Sequence, residues 1–403
     1  LATAIALTFS TPAAFAAASS PDQLPGQGSV TYHSGTAPTA GKISNGSQTI
    51  TITQGTNNTI KWGSGGTINA NQTGGFNIGS KAKLHFANTG STSQSVVLNI
   101  DASGNPSQIL GTLNDGNSGT ISPVSGVDIF VANANGIIVG NSAQINAAAN
   151  SGTPGLVGLI GGSVSGYPAF NQGGPYDGIN YTAPSSGYVT VMKNASLSGT
   201  SILVAGGGNV NVNLGDFKQA GTSDYTTVTL SAGVGKPQYK YYPSSGAKPN
   251  LNAVLTVFGQ LPDQINGANY SPDIVSFNSA GNALNNGTAD LSNAVGSLTV
   301  GGTFTNNRNG DLTLPNLSFG SSVFNVVNLG KLKTDVNASF ASLNNSGSFN
   351  TNGSITVGNG DLNNSGSINL KGDIQVRDGG LNNSGSIDND ANLSRINVTN
   401  GNI

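Results

Sequence analysis

The string LNNSGS, followed by Phe or Ile, occurs at 343–349, 362–368 and 381–387, each copy 19 residues after the last. A period near twenty, built of β-formers with Asn and Gly at the corners, predicts a solenoid in which each repeat is one coil. In such a coil Leu343, and Phe349 six residues on, point inward and stack on Leu362 with Ile368 and Leu381 with Ile387. The Asn residues stack at the corners, each amide bonding its copies above and below. Looser copies stand around Phe304 and Val327. No single rung is decisive, since one inward aliphatic side chain contributes about 1.5–3 kcal/mol on burial. At about 20 residues per rung and roughly 4.8 Å between strands, the mature chain predicts a rod on the order of 70–90 Å long.

Composition agrees with that reading. Of 403 residues 59 are Gly, only 8% are charged, and all 17 acidic residues are Asp. With no Glu and much Asn, Ser and Thr, an all-β chain is expected and a helical one is not. A hydrophobic share of 36% and a formal charge of −2 argue against disorder. They also exclude the basic footprint that nucleic acid requires. Cysteine is absent, which removes disulfides, thiolate ligands and thiol nucleophiles. That suits a chain crossing an oxidising compartment unfolded, and equally a repetitive β protein with no need of cysteine.

Residues 1–18 combine an apolar run with the small-residue site Ala14-Phe15-Ala16, as in the latter part of a secretory signal peptide cleaved after Ala16 or Ala18. The apolar run is too short to span a membrane as a helix.

The stretch 95–149 carries the clearest strand and corner punctuation. Short apolar groups (Val96 to Leu98, Ile109 to Leu113, Ile129 to Val131, Ile137 to Val139) alternate with Asn, Gly, Ser and Pro. The two sharpest corners are Asn105-Pro106-Ser107-Gln108 and Asn133-Ala134-Asn135-Gly136-Ile137. Proline presets φ there, while Asn and Gly tolerate the left-handed region.

These two corners, with Gly75-Phe76-Asn77-Ile78-Gly79 before them and Gly155-Leu156-Val157 after, resemble the N-terminal secretion domain of two-partner-secretion exoproteins of the filamentous-haemagglutinin type. That family reads Asn-Pro-Asn-Leu and Asn-Pro-Asn-Gly-Ile at these places. Here Ser107, Gln108 and Ala134 depart from it, so Asn105, Pro106, Asn133, Asn135, Gly136 and Ile137 carry the secretion motif, as structural turns and not as reactive groups. The resemblance implies a right-handed parallel β-helix (solenoid) with an N-terminal cap. It also implies export through a dedicated outer-membrane β-barrel transporter, which would recognise about residues 22–250 in the periplasm. The domains it suggests are 22–165 as the secretion-domain core, 166–250 as β-helix continuation with irregular insertions, and 251–403 as a repetitive shaft truncated at its C-terminus. Trp62, set apart from Phe76 by an insertion at 63–75, is expected as a buried capping aromatic.

The expected role is the N-terminal part of a large secreted or surface adhesin, whose partner is a host or neighbouring-cell receptor or glycan. The stalk of a contact-dependent toxin-delivery protein uses the same architecture. Lys236, Tyr239, Lys240, Tyr241 and Tyr242 form an aromatic and basic cluster suited either to a carbohydrate partner or to anchoring a loop over the solenoid.

No cofactor, metal or catalytic group is expected. His33 and His85 are the only histidines, in different strands and far from the three or four ligands zinc needs. His85 reads as an outward strand residue. Gly360-Asp361 and Asp378-Gly379-Gly380 resemble calcium-binding nonapeptides but do not recur at that period. A polysaccharide-active enzyme would need clustered carboxylates, and Asp373, Asp378, Asp388 and Asp390 beside Arg377 are the densest group. Turn-decorating aspartates explain that group more simply.

Overall fold

The computed structural model describes residues 19–32, 36–90, 95–115, 126–147, 155–165, 180–182, 187–199, 201–213, 217–218, 227–232, 254–258, 273–294, 298–317, 323–389 and 395–403. Among them there is no helix, and the strands form six sheets. The segment 1–18 and the cluster Lys236, Tyr239, Lys240, Tyr241 and Tyr242 lie outside the described residues, as do His33 and Asp390.

Strands from successive passes of the chain pair side by side and in parallel. In the nine-stranded sheet, Ser95–Asp101, Val127–Ala132, Leu156–Gly161, Ser201–Gly206, Thr227–Ala232 and Asp273–Ser279 follow one another in chain order. Their registers align a column of branched side chains, Val97, Ile129, Val157, Ile202, Val228 and Ile274, all buried. β-Branched residues dominate because a stiff χ1 fits a pleated surface with a like neighbour above and below. An eleven-stranded sheet runs from Ser107–Ile109 to Leu381–Asn383, and a six-stranded sheet from Thr288–Asp290 to Ser386–Asn389.

The 19-residue repeat behaves as expected. Leu343, Leu362 and Leu381 are register partners, as are Phe349, Ile368 and Ile387. Asn345 donates its side-chain N–H to Asn364 Oδ1 at 2.7 Å, and Asn364 donates to Asn383 at 2.7 Å. The buried ladder extends upstream through Asn285, Asn306 and Asn328. Each amide thereby satisfies groups that would otherwise be costly to bury.

The N-terminal side differs. Gly28–Tyr32 pairs antiparallel with Asn57–Trp62, and Thr39–Ala40 antiparallel with Ser47–Ile52, so two sheets end on antiparallel strands. Trp62 is fully buried, its indole N–H donates to Asn99 Oδ1 at 3.0 Å, and its ring meets Phe76 at 5.7 Å. The insertion between them therefore folds back rather than separating them.

Two features differ from a simple reading of the sequence. The apolar group Ile109 to Leu113 is two strands, Ser107–Ile109 and Thr112–Asn114, in different sheets. A second apolar cluster, Val96, Leu98, Phe130, Ala132, Leu156, Ile160, Leu203 and Ala205, lies apart from the main core, with Val164 of the antiparallel strand Ser163–Ser165 packed on it. These residues alternate with the main-core column, so the sheet is buried on both faces and its strands read as continuous apolar runs. Gly158 makes room for this cluster, since a Cβ there would stand 2.1 Å from the Phe130 ring.

Candidate functional site: two stacked corners

The two corners picked out by sequence lie one above the other. Ile137 pairs with Ser107 and Val139 with Ile109 in the eleven-stranded sheet, which brings Asn133 to Gly136 beside Asn105 and Pro106. The contact is direct. The buried Asn133 side chain donates to the Asn105 carbonyl at 2.8 Å and to Ser107 Oγ at 2.9 Å, and its Oδ1 accepts from the Asn135 N–H at 2.8 Å. That last bond is an Asx-turn, and the Gly136 N–H closes the corner on the Asn133 carbonyl at 3.1 Å. The turn thus forms with Ala134 where the resembling motif has proline.

Gly136 has φ +112, and a Cβ there would lie 2.8 Å from the Tyr188 ring. Both constraints require glycine. Tyr188 is half-buried, and burial pushes its phenol above the usual 10.0. Ile137, fully buried, takes a backbone bond from its N–H to the Tyr188 carbonyl at 2.8 Å. Asn105 and Asn135 expose their side chains, so their backbones make the corner.

Asp101 ties the corners to the N-terminal segment, a role sequence reading did not assign. Its buried carboxylate accepts from the Phe76 N–H at 2.9 Å, the Ser107 hydroxyl at 2.6 Å and the Ser103 N–H at 3.0 Å. Ser107 donates to Asp101 while accepting from Asn133, so one hydroxyl joins the two corners to the carboxylate. On the same strand as Asp101, Asn99 makes a separate pair of buried bonds, accepting from Trp62 and donating to the Phe130 carbonyl at 3.1 Å. The only sequence signal was an aspartate closing an apolar strand in a chain poor in charge.

These bonds tie the two corners to each other and to the strand that ends at Asp101. Elsewhere, half-buried His85 bonds Asn114 Oδ1 through Nδ1. Asp361 accepts from the Gly380 N–H at 2.8 Å, Asp373 from the Arg395 N–H at 2.8 Å and Asp378 from the Asn400 amide at 2.7 Å. These aspartates therefore stitch one pass of the chain to the next. Among the described residues no group of three or more His, Cys, Asp or Glu stands close enough to hold a metal ion. No family model matches the chain, and no curated protein matches it.

Proposed function

We propose that this chain is a right-handed parallel β-helix with an N-terminal cap, and that it forms the N-terminal part of a secreted or surface-displayed adhesin of the two-partner-secretion type. A dedicated outer-membrane β-barrel transporter exports it, and a receptor or glycan on a host or neighbouring cell is its partner. The observation that carries the reading is the single bonded network of Asn105, Ser107, Asn133 and Asn135 around Asp101, which joins both motif corners to Phe76. A solenoid that folds outside the cell needs a closed end from which rungs add in register. Antiparallel strands at the N-terminal side and a bonded pair of first corners supply such a start.

The test is co-expression in a bacterial host with and without the outer-membrane transporter, assaying the medium for folded protein. Release is expected only with the transporter, and the double variant Asn135→Val/Gly136→Val should not be released. Release without the transporter, or normal release of the double variant, overturns the assignment.

A further inference from the structure

On the outer face of the six-stranded sheet lies a cleft of about 200 Å³ that no step of the secretion reading uses. One wall is a column of outward residues in direct register, Lys333, Asn350 and Asn369. The other wall is formed by Asn352 and Lys371, which follow those strands at the next corner. Its floor includes Thr351, buried and held by the Val336 carbonyl and the Gly353 N–H. The cleft runs across three passes of the chain, so its length is set by the inter-strand spacing.

We propose that this cleft binds a linear acidic polysaccharide carrying one carboxylate per disaccharide. The lining holds two lysines and no carboxylate, whereas the whole chain has a formal charge of −2. Lys333 stands on the first pass and Lys371 on the third, two spacings apart across the strands and two residues further along them, so their backbones are about 12 Å apart on a diagonal. Carboxylates on alternate sugars of a linear chain, about two hexose residues apart, lie within reach of both flexible lysine stems on that diagonal. Lys333 has Asp335 at 3.1 Å, and Lys371 makes no ion pair among the described residues. Between the cations Asn369 donates to Asn350 Oδ1 at 2.8 Å. An amide has two donors and two acceptor sites, so both retain capacity for sugar hydroxyls.

The spacing also selects against densely charged ligands. Clustered sulfates or phosphates are matched by adjacent cations and by arginine forks; within the lining the two ammonium groups are separated by amides, while Lys331, two residues from Lys333 on the same face, has Asp311 as its register neighbour. Asp388 is the register neighbour of Asn369 on the next strand, and it penalises an anion extending that way.

The proposal names the ligand class for the adhesin reading and rests on it only for biological setting. Binding by the purified chain does not depend on transporter-dependent release, so the two ideas fail separately. Calorimetry of the chain with hyaluronan oligosaccharides, heparin and dextran, at low and physiological ionic strength, tests it. Hyaluronan should bind, more tightly than heparin or dextran, and Lys333→Gln/Lys371→Gln should lose about tenfold or more in affinity. Asn350→Ala/Asn369→Ala should weaken binding while keeping its salt dependence. All four side chains are exposed, so the variants should retain the wild-type circular dichroism and unfolding midpoint. Absent hyaluronan binding, tighter heparin binding, equal dextran binding or an unaffected lysine variant each overturns the proposal.

Discussion

Asp101 offers the sharpest test of how the N-terminal region is held. In Asp101→Ala the Phe76 N–H and the Ser107 hydroxyl, both on fully buried residues, lose their acceptor, while the Ser103 N–H is close enough to solvent to find water. A buried donor left unsatisfied costs about 1–3 kcal/mol, so the two together predict a loss of about 2–6 kcal/mol. Asp101→Asn keeps one oxygen for Phe76 and Ser107 but turns an N–H toward Ser103, predicting a smaller loss of about 1–3 kcal/mol. The protein contains its own probe. Trp62 is the only tryptophan, it is fully buried, and its ring lies 5.7 Å from that of Phe76. Urea unfolding followed by tryptophan fluorescence should therefore order the midpoints wild type, Asp101→Asn, Asp101→Ala. If the alanine variant unfolds at the wild-type midpoint, the carboxylate does not tie these segments together and the network described above is incidental.

Two further outcomes follow from neighbouring features. Asn345→Ala strands the buried amides of Asn328 and Asn364 and should cost about 2–4 kcal/mol, whereas Asn344→Ala, exposed, should stay within about 0.5 kcal/mol. Hydrogen exchange over 342–370 should rise in the first variant alone, and equal effects would contradict the inward ladder. Tyr188 holds its proton in the folded state above the unfolded value of 10.0, so its contribution is intact below about pH 10 and is lost as pH climbs through the raised folded value. Tyr188→Phe should flatten the decline of the unfolding midpoint in that range, and an unchanged slope would refute the assignment.

What the sequence disclosed and what it hid divide on physical lines. The inward Leu and Phe or Ile and the corner amides were readable because an identical 19-residue spacing forces identical neighbours. The burial of Trp62 was expected from the resemblance, and the corner at Asn135 and Gly136 was readable from its turn residues. Asp101 was not, because its partners Phe76 and Ser107 are fixed by how passes of unequal length align. The amide ladder makes that inequality plain, stepping by 21, 22, 17, 19 and 19 residues. Nor does alternation reveal a second apolar face when both sides of a strand such as Val127–Ala132 are buried. Ser107 stood in the sequence as a departure from the resembling motif, and the structure makes it the hydroxyl through which the two corners meet.

The equal spacing of the last repeats has a mechanical corollary. Strands 19 residues apart are direct neighbours there, and the bonds joining them run from one pass to the next. A tensile load applied from one end meets those bonds one pass at a time, an unzipping geometry in which few resist at once. Each pass released replaces about 4.8 Å of sheet with about 65 Å of extended chain. Pulled in that direction, the segment 343–387 would lengthen in equal steps, one 19-residue pass at a time.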